Sequence, residues 1–310
     1  MKEINLAIIG TGNWGLNYVR IFSRLPNARI KFLVDKSDNN LRKAKEFAPE
    51  AIALNDYRDL LKREDWEAGI VATPAQTHFP IVSELLSRGK DVLVEKPLAL
   101  NSKDAQILFE IAKREGKKLM VGHILLYHPA VRYLKNLIKR NIFGRIDSLL
   151  SLRFNFNGLS EEDCLFGLAC HDIAIANYLL SSPPEFVRAM GNEKESSFVL
   201  IYPQGVNFYG EVGFKEGEGK VRSLFVFGEK KEAFFDDTRE EKLVIRDKKK
   251  TSLPKLKKIE PLKLECEHFL RCLREDREPI TDGKDGLLVV KVLERLFKSM
   301  RNGGDWVRVE

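Results

Sequence analysis

Residues 8–15 read Ile-Ile-Gly-Thr-Gly-Asn-Trp-Gly, a GxGxxG directly behind an apolar run and opening a helical pattern. That context is what a dinucleotide pyrophosphate requires. Gly10 permits the tight turn, Gly12 lets the main chain approach the phosphates, and Gly15 allows close helix–strand packing. Thr11, Asn13 and Trp14 occupy the other loop positions. The helix start beyond them offers unpaired N–H groups and the positive end of its dipole to the anion. Asp35 closes the second apolar run, 20 residues after Gly15. A carboxylate there accepts from ribose hydroxyls and repels a 2′-phosphate, so the expected cofactor is NAD rather than NADP. The adjacent Lys36 is the residue that could instead pair with a phosphate.

Two later segments stand where further strands of the same sheet should end: Ala-Thr-Pro-Ala-Gln-Thr-His at 72–78 and Glu95-Lys96-Pro97. Ligands of an open parallel sheet bind outside the carboxyl ends of its strands. Thr73, Pro74, His78, Glu95 and Lys96 are therefore expected at the cofactor, with Lys96 facing the nicotinamide. Lys96-Pro97 is a candidate cis peptide.

Positioning these groups requires alternating strands and helices, and the first ~125 residues supply them. Apolar runs at 5–9, 30–34, 69–72, 92–94 and 119–122 alternate with helical patterns at 14–24, 39–47, 57–62, 78–87 and 103–114. Continuous apolar strands between helices imply a parallel sheet buried on both faces. From Phe186 the texture changes to short aromatic and β-branched runs with close turns, which reads as an antiparallel meander. Helices return at 262–273 and 286–300. The expected fold is α/β followed by α+β: a doubly wound Rossmann domain over 1–122, then an open, mainly antiparallel sheet domain over 123–310 covered by helices on one face. The last helix is a candidate to pack back on the first domain.

With these motifs the chain resembles the glucose–fructose oxidoreductase, inositol dehydrogenase and rhizopine catabolism family over nearly its whole length. The resemblance rests on GTGNWG, ATPAQTH, the EKP at 95–97 and the region of His171. Within the family, GNWGLNYVRIF (12–22), LMVGHILLYHPAV (119–131), CHDIAIANYLL (170–180) and EPLKLECEHFLRCL (260–273) look most like nucleotide-sugar 3-dehydrogenases. Those act on UDP-N-acetylglucosamine or UDP-N-acetyl-2-amino-2-deoxyglucuronate. The resemblance implies hydride transfer from a ring hydroxyl to nicotinamide, with Lys96 and His171 flanking the reacting carbon. A histidine titrates near neutrality with little tuning, so His171 is expected as general base and Lys96 as the group polarising the oxygen. His123, Tyr127, Arg153, Asn155 and Asp172 join Lys96 and His171 as candidate substrate contacts. The subgroup carries Trp-Asp where this chain has Phe166-Gly167, so any histidine-orienting role of that carboxylate either passes to Asp172 or is lost. The stretch between Asn157 and Cys170 also departs from the subgroup.

Composition excludes several other classes. The net charge of +7 is concentrated between Lys215 and Lys263, where 15 basic residues face 10 acidic ones. No aromatic residue interleaves with Lys248–Lys250, so a solvated loop or edge strand is expected rather than a nucleic-acid surface. No apolar run approaches the ~18 residues of a membrane span. Four cysteines without a CxxC pair point to a reducing cytoplasm. The sets Cys266, His268, Cys272 and Cys164, Cys170, His171 lack the paired spacing of a zinc site, so no metal is expected. The open sheet of the second half needs cover, which implies a homodimer or homotetramer.

Overall fold

Apolar runs with period 2 and helical runs with period 3.6 generate, in chain order, β1 (Ile4–Ile9), α1 (Gly15–Phe22), β2 (Ala28–Val34), α2 (Asp38–Lys45), β3 (Ile52–Leu54), α3 (Tyr57–Leu60), β4 (Ala68–Val71), α4 (His78–Ser87), β5 (Asp91–Glu95), α5 (Ser102–Glu115) and β6 (Leu119–Gly122). There follow α6 (Pro129–Lys139), β7 (Ile146–Asn155), α7 (Cys170–Leu180), β8 (Phe186–Gly191), β9 (Glu195–Ile201), β10 (Asn207–Phe214), β11 (Lys220–Gly228), β12 (Glu232–Asp236), β13 (Leu243–Arg246) and β14 (Thr251–Ser252). The chain ends with α8 (Pro261–Glu275), α9 (Gly283–Arg301) and β15 (Val307–Arg308). The computed structural model describes residues 3–157 and 163–309; residues 158–162, inside the segment that departs from the subgroup, lie outside them.

Two compact units form: residues 1–124 with 260–290, and residues 125–259 with 291–310. The first holds a six-stranded parallel sheet in the order β3-β2-β1-β4-β5-β6. That order reverses between β1 and β4, the point where α/β sheets of this kind open a crevice for a ligand. The centres of its strands are apolar because both faces are covered: Leu6, Ala7, Ile8, Ile70, Val71, Leu93 and Val94 are all buried. Asn101 caps α5 by accepting from the Asp104 N–H at 2.8 Å, and Gly116 ends it in the left-handed region at φ 63°. Residues 260–290, placed by sequence with the second domain, fold with the first. The reason is the inner stripe of α8, where Leu262, Glu265, Cys266 and Phe269 are buried. The Tyr18 hydroxyl of α1 meets Glu265 there.

The second unit is a nine-stranded sheet in the order β14-β13-β12-β11-β7-β10-β9-β8-β15. Its pairs are antiparallel except β7–β10, which run parallel. The meander expected from the turn spacing is therefore broken, since β10 and β11 are neighbours in sequence but β7 lies between them. A ten-residue strand alternating Leu149, Ser151 and Arg153 inward with Leu150, Leu152 and Phe154 outward makes a central strand that pairs on both edges. Along the outward face the register lines up Val199, Tyr209, Leu150, Phe225, Phe234 and Val244, one from each of six adjacent strands. None of the six is fully buried. Lys248–Lys250 lie in the turn between β13 and β14 at the edge of this sheet, where lysines oppose edge-to-edge pairing.

Candidate functional site

The glycine-rich loop leaves β1 and enters α1, and each of its glycines answers a different constraint. Gly10 has φ +86° and a Cβ there would meet the Ala72 carbonyl oxygen at 2.6 Å; one on Gly15 would meet the Gly10 carbonyl oxygen at 1.9 Å. Gly12 differs: its Cβ would meet nothing nearer than Asn40 Nδ2 at 3.8 Å. Protein packing does not require glycine at 12, whereas a phosphate approaching the main chain does. The loop thus fits a dinucleotide.

Asp35, at the end of β2, anchors this loop. Its Oδ2 accepts from the Thr11 N–H at 2.8 Å and from the Thr11 hydroxyl at 3.3 Å; its Oδ1 accepts from the Ser37 N–H at 2.8 Å and from Asn40 Nδ2 at 3.3 Å. Four protein donors fill the carboxylate's sites. A ribose hydroxyl at Asp35 would displace one of the two long contacts. Lys36 is exposed beside it. Asn13 accepts from Asn17 Nδ2 through its carbonyl, and Trp14 directs its indole N–H onto Glu95.

The turns after β4 and β5 are bolted together by His78. Its Nδ1 lies 2.8 Å from the Pro97 carbonyl oxygen and its Nε2 lies 2.9 Å from that of Thr73. The side chain is buried, and burial holds it below the ordinary histidine value. Thr77 closes the first turn through the Thr73 hydroxyl at 2.7 Å and the Pro74 carbonyl. The Lys96–Pro97 peptide is cis. Glu95 is buried, and its Oε2 accepts from the Lys96 N–H at 3.1 Å.

His123, one residue past β6, is 2% exposed, and among the described residues neither ring nitrogen has a hydrogen-bond partner. Burial, and then the charge of Lys96, depresses it to about 4. A neutral imidazole with two unmet nitrogens beside an ammonium is a group built to meet a polar ligand.

In the second unit the site residues divide. Arg153 on β7 and Asp172 on α7 form a buried bidentate pair, Nε to Oδ2 and Nη2 to Oδ1, both at 2.8 Å. The Ser151 hydroxyl donates to the same Oδ1 at 2.7 Å. Asn155 accepts from Arg222 Nη2 at 2.7 Å, a partner the sequence did not suggest. Burial and the facing Arg153 lower Arg222 to about 10. Tyr127 is fully buried. His128 caps α6, its Nδ1 accepting from the Ala130 N–H, with Nε2 3.4 Å from Asp237. His171 lies half-buried on the first turn of α7, directly after a π-helical turn over Leu165–Ala169. No local sequence signal marks that turn. It carries Phe166, which stacks on Phe297 of α9, and the buried Gly167. Of the residues considered for a metal, His268 accepts from the Ile280 N–H and contacts the Cys272 thiol.

These buried histidines give the fold a signed response to acid. Burial puts His123 and His128 at about 4. Between that value and the ordinary ~6.5 the unfolded chain binds protons that the folded chain does not. The stabilisation is complete above ~6.5 and is lost as pH falls toward 4, on the order of 3 kcal/mol for His123 alone. Denaturant midpoints should therefore fall between about pH 7.5 and pH 5, and less steeply in His123→Phe. Equal slopes in both proteins would contradict this.

Residues 4–123 match the family model described as an oxidoreductase family, NAD-binding Rossmann fold, and residues 194–309 match the one described as an oxidoreductase family, C-terminal alpha/beta domain. The 2,7-anhydro-N-acetylneuraminate hydratase of Mediterraneibacter gnavus is 34% identical over 162 residues, 52% of this chain and 42% of that protein. The inositol 2-dehydrogenase of Gluconacetobacter diazotrophicus is 30% identical over 192 residues, 60% of this chain and 56% of that one. The chain spans about half the length of the curated relatives it matches. The solved UDP-N-acetylglucosamine 3-dehydrogenase of Acidithiobacillus ferrooxidans is 21% identical, with a TM-score of 0.86 over 97% of this chain and 99% of that one. That likeness concerns the fold.

Proposed function

We propose, from the premise that the chain belongs to the GFO_IDH_MocA oxidoreductase family and carries its NAD-binding Rossmann fold, that it oxidises a ring hydroxyl of a sugar, with C3 of a nucleotide-activated sugar as the favoured position. The observation that carries this reading is the coupling of Lys96 to the cofactor loop. Lys96 directly follows Glu95, and the Glu95 carboxylate takes both the Lys96 N–H and the Trp14 indole N–H of the loop. The main chain that carries the reactive amine and the dinucleotide cradle are thereby fixed to one carboxylate.

Bound NAD supplies the hydride acceptor. Lys96 holds and polarises the hydroxyl oxygen of the reacting carbon, and His171 removes its proton. His123 accepts or donates to a neighbouring hydroxyl with its unmet nitrogens. Tyr127 and Asn155 are assigned to the sugar, and the Arg153–Asp172 pair ties β7 to α7. Pro74 and Thr73 line the cofactor side, with Asp35 oriented to the adenosine ribose.

An inositol, deoxysugar or free sugar is the second reading, favoured by one observation. Phe166 and Gly167 replace the subgroup's Trp-Asp with an aromatic stack and a bare main chain. Purified protein with NAD separates the two. NADH absorbance with UDP-N-acetylglucosamine or its uronic acid supports the first; absorbance with free sugars or inositol alone supports the second. Tight NAD binding with no turnover of any polyol would leave a cofactor-binding regulator.

The outward apolar row from Val199 to Val244 supports a homodimer or homotetramer formed through that face. Phe225→Asp should then lower the mass seen by light scattering to that of the monomer. All four cysteines are buried thiols, which supports a reducing cytoplasm. Among the described residues no helix is long and apolar enough to cross a membrane.

A further inference from the structure

Beneath the glycine-rich loop, within the first unit, two carboxyl groups share one phenol. Tyr18 of α1 is fully buried; its Oη lies 2.7 Å from Glu95 Oε1 and 3.3 Å from Glu265 Oε2. Glu265 has no exposure, and its other oxygen, Oε1, has no hydrogen-bond partner among the described residues. Gly122 closes the pocket: a Cβ there would lie 3.1 Å from Tyr18 Oη and 3.2 Å from Glu95 Oε1.

Counting protons decides the roles. A phenol has one proton to give. The shorter contact assigns it to Glu95, so the phenol oxygen is left to accept, and only a protonated Glu265 can donate to it. The surroundings agree. Glu95 receives the Tyr18 hydroxyl, the Trp14 indole and the Lys96 N–H, and lies near the Lys96 charge. Glu265 meets the phenol, the Glu95 carboxylate and the Cys266 thiol. Among the described residues, none of the groups acting on Glu265 is a cation; Arg20 of α1, which acts on Cys266, is paired with Glu260. Two buried charges around one phenol would repel without compensation. Burial and Glu95 push Glu265 well above the usual carboxyl range.

We propose that Glu265 is a positioning residue held as a neutral acid: it donates to Tyr18, Tyr18 donates to Glu95, and the fixed Glu95 carboxylate sets the Trp14 side of the dinucleotide loop and the main chain of Lys96. The chain of donors polarises along its length, each bond strengthening the next. The inference reaches beyond the sugar reaction, because it concerns the preparation of the cofactor site alone.

The test uses the full chain and NAD, with no sugar. Infrared difference spectra, wild type minus Glu265→Gln, should show the carbonyl band of a protonated carboxyl. Gln supplies a neutral donor to the phenol, so Glu265→Gln should bind NAD within about twofold of wild type, whereas Glu265→Ala and Tyr18→Phe should bind it roughly tenfold more weakly. Raising pH ionises the wild-type acid, so its NAD affinity should decline on the alkaline side while Glu265→Gln stays flatter. Tyr18, Glu95 and Cys266 are buried around it in both proteins, and Glu265→Gln removes one of the groups that hold the Cys266 thiol up. Absence of the carboxyl band, or a Gln variant as impaired as the Ala variant, overturns the proposal. Should Glu265→Ala fail to fold, the band and the Gln and Phe variants decide the matter.

Discussion

Lys96→Ala should lower the turnover of the oxidised sugar by at least ~10²-fold while changing NAD affinity little. The split follows from where the residue stands. Its backbone N–H, which the substitution keeps, is what engages Glu95. Only the ammonium is lost, together with its contribution to the depressed value of His123. A group that acts on the reacting oxygen alone affects kcat and kcat/KM together. Lys96→Arg sharpens the test: the charge remains, but a planar guanidinium cannot place a donor where the compact ammonium did. Arginine, like alanine, should leave kcat low with KM near that of wild type. With Lys96 absent, His123 should titrate closer to its ordinary value, which NMR of the imidazole can follow. Full activity in Lys96→Ala contradicts the assigned role.

The second large effect is on stability. Arg153→Ala should cost about 3–5 kcal/mol, because Asp172 would remain buried with its charge unmatched. Burial opposes the Arg153 charge, but Asp172, with Cys170 and Asp237 behind it, raises it above the ordinary value, and the pair sits at 3% and 1% exposure. Charge repulsion is not the cause, so the double variant Arg153→Met, Asp172→Leu should recover most of the loss; that is the behaviour of buried ion pairs replaced by apolar groups of similar volume. Denaturant unfolding of the three proteins reads the difference directly. If Arg153→Ala unfolds at the wild-type midpoint, the pair carries no structural weight. Destabilisation of the double variant equal to the single would assign the loss to packing instead.

Sequence patterning foretold five of the six strands of the parallel sheet, all but the short β3, because each of their signals is local. A buried parallel strand is a short apolar run, and GTGNWG, ATPAQTH and EKP each sit at the end of one. What escaped was decided at long range. β7 pairs with both β10 and β11, and no feature of the turn at 216–219 reveals that the strands it joins are separated by a third. Arg153 alternates with apolar residues exactly as a solvent-facing arginine would on an edge strand; only the arrival of Asp172 from α7 makes it internal. Likewise Glu265 sits on an amphipathic helix among ordinary glutamates, and its burial depends on Tyr18, 247 positions away. The same holds for His78, whose position beside the cofactor turn was legible, while its double contact with Thr73 and Pro97 required the turn after β5 to be in place.

The return of residues 260–290 to the first unit has a consequence for synthesis on the ribosome. The nascent Rossmann sheet emerges early, with all six strands translated by Gly122, yet the helix that shields Tyr18 is made more than a hundred codons later. Until then the hydroxyl and the Glu95 carboxylate lack that cover, so the nucleotide-holding half matures only once α8 has been made. A truncated gene ending after β6 would encode a sticky, unfinished sheet rather than a portable cassette, and exchange of this module between proteins must carry two separate stretches of coding sequence.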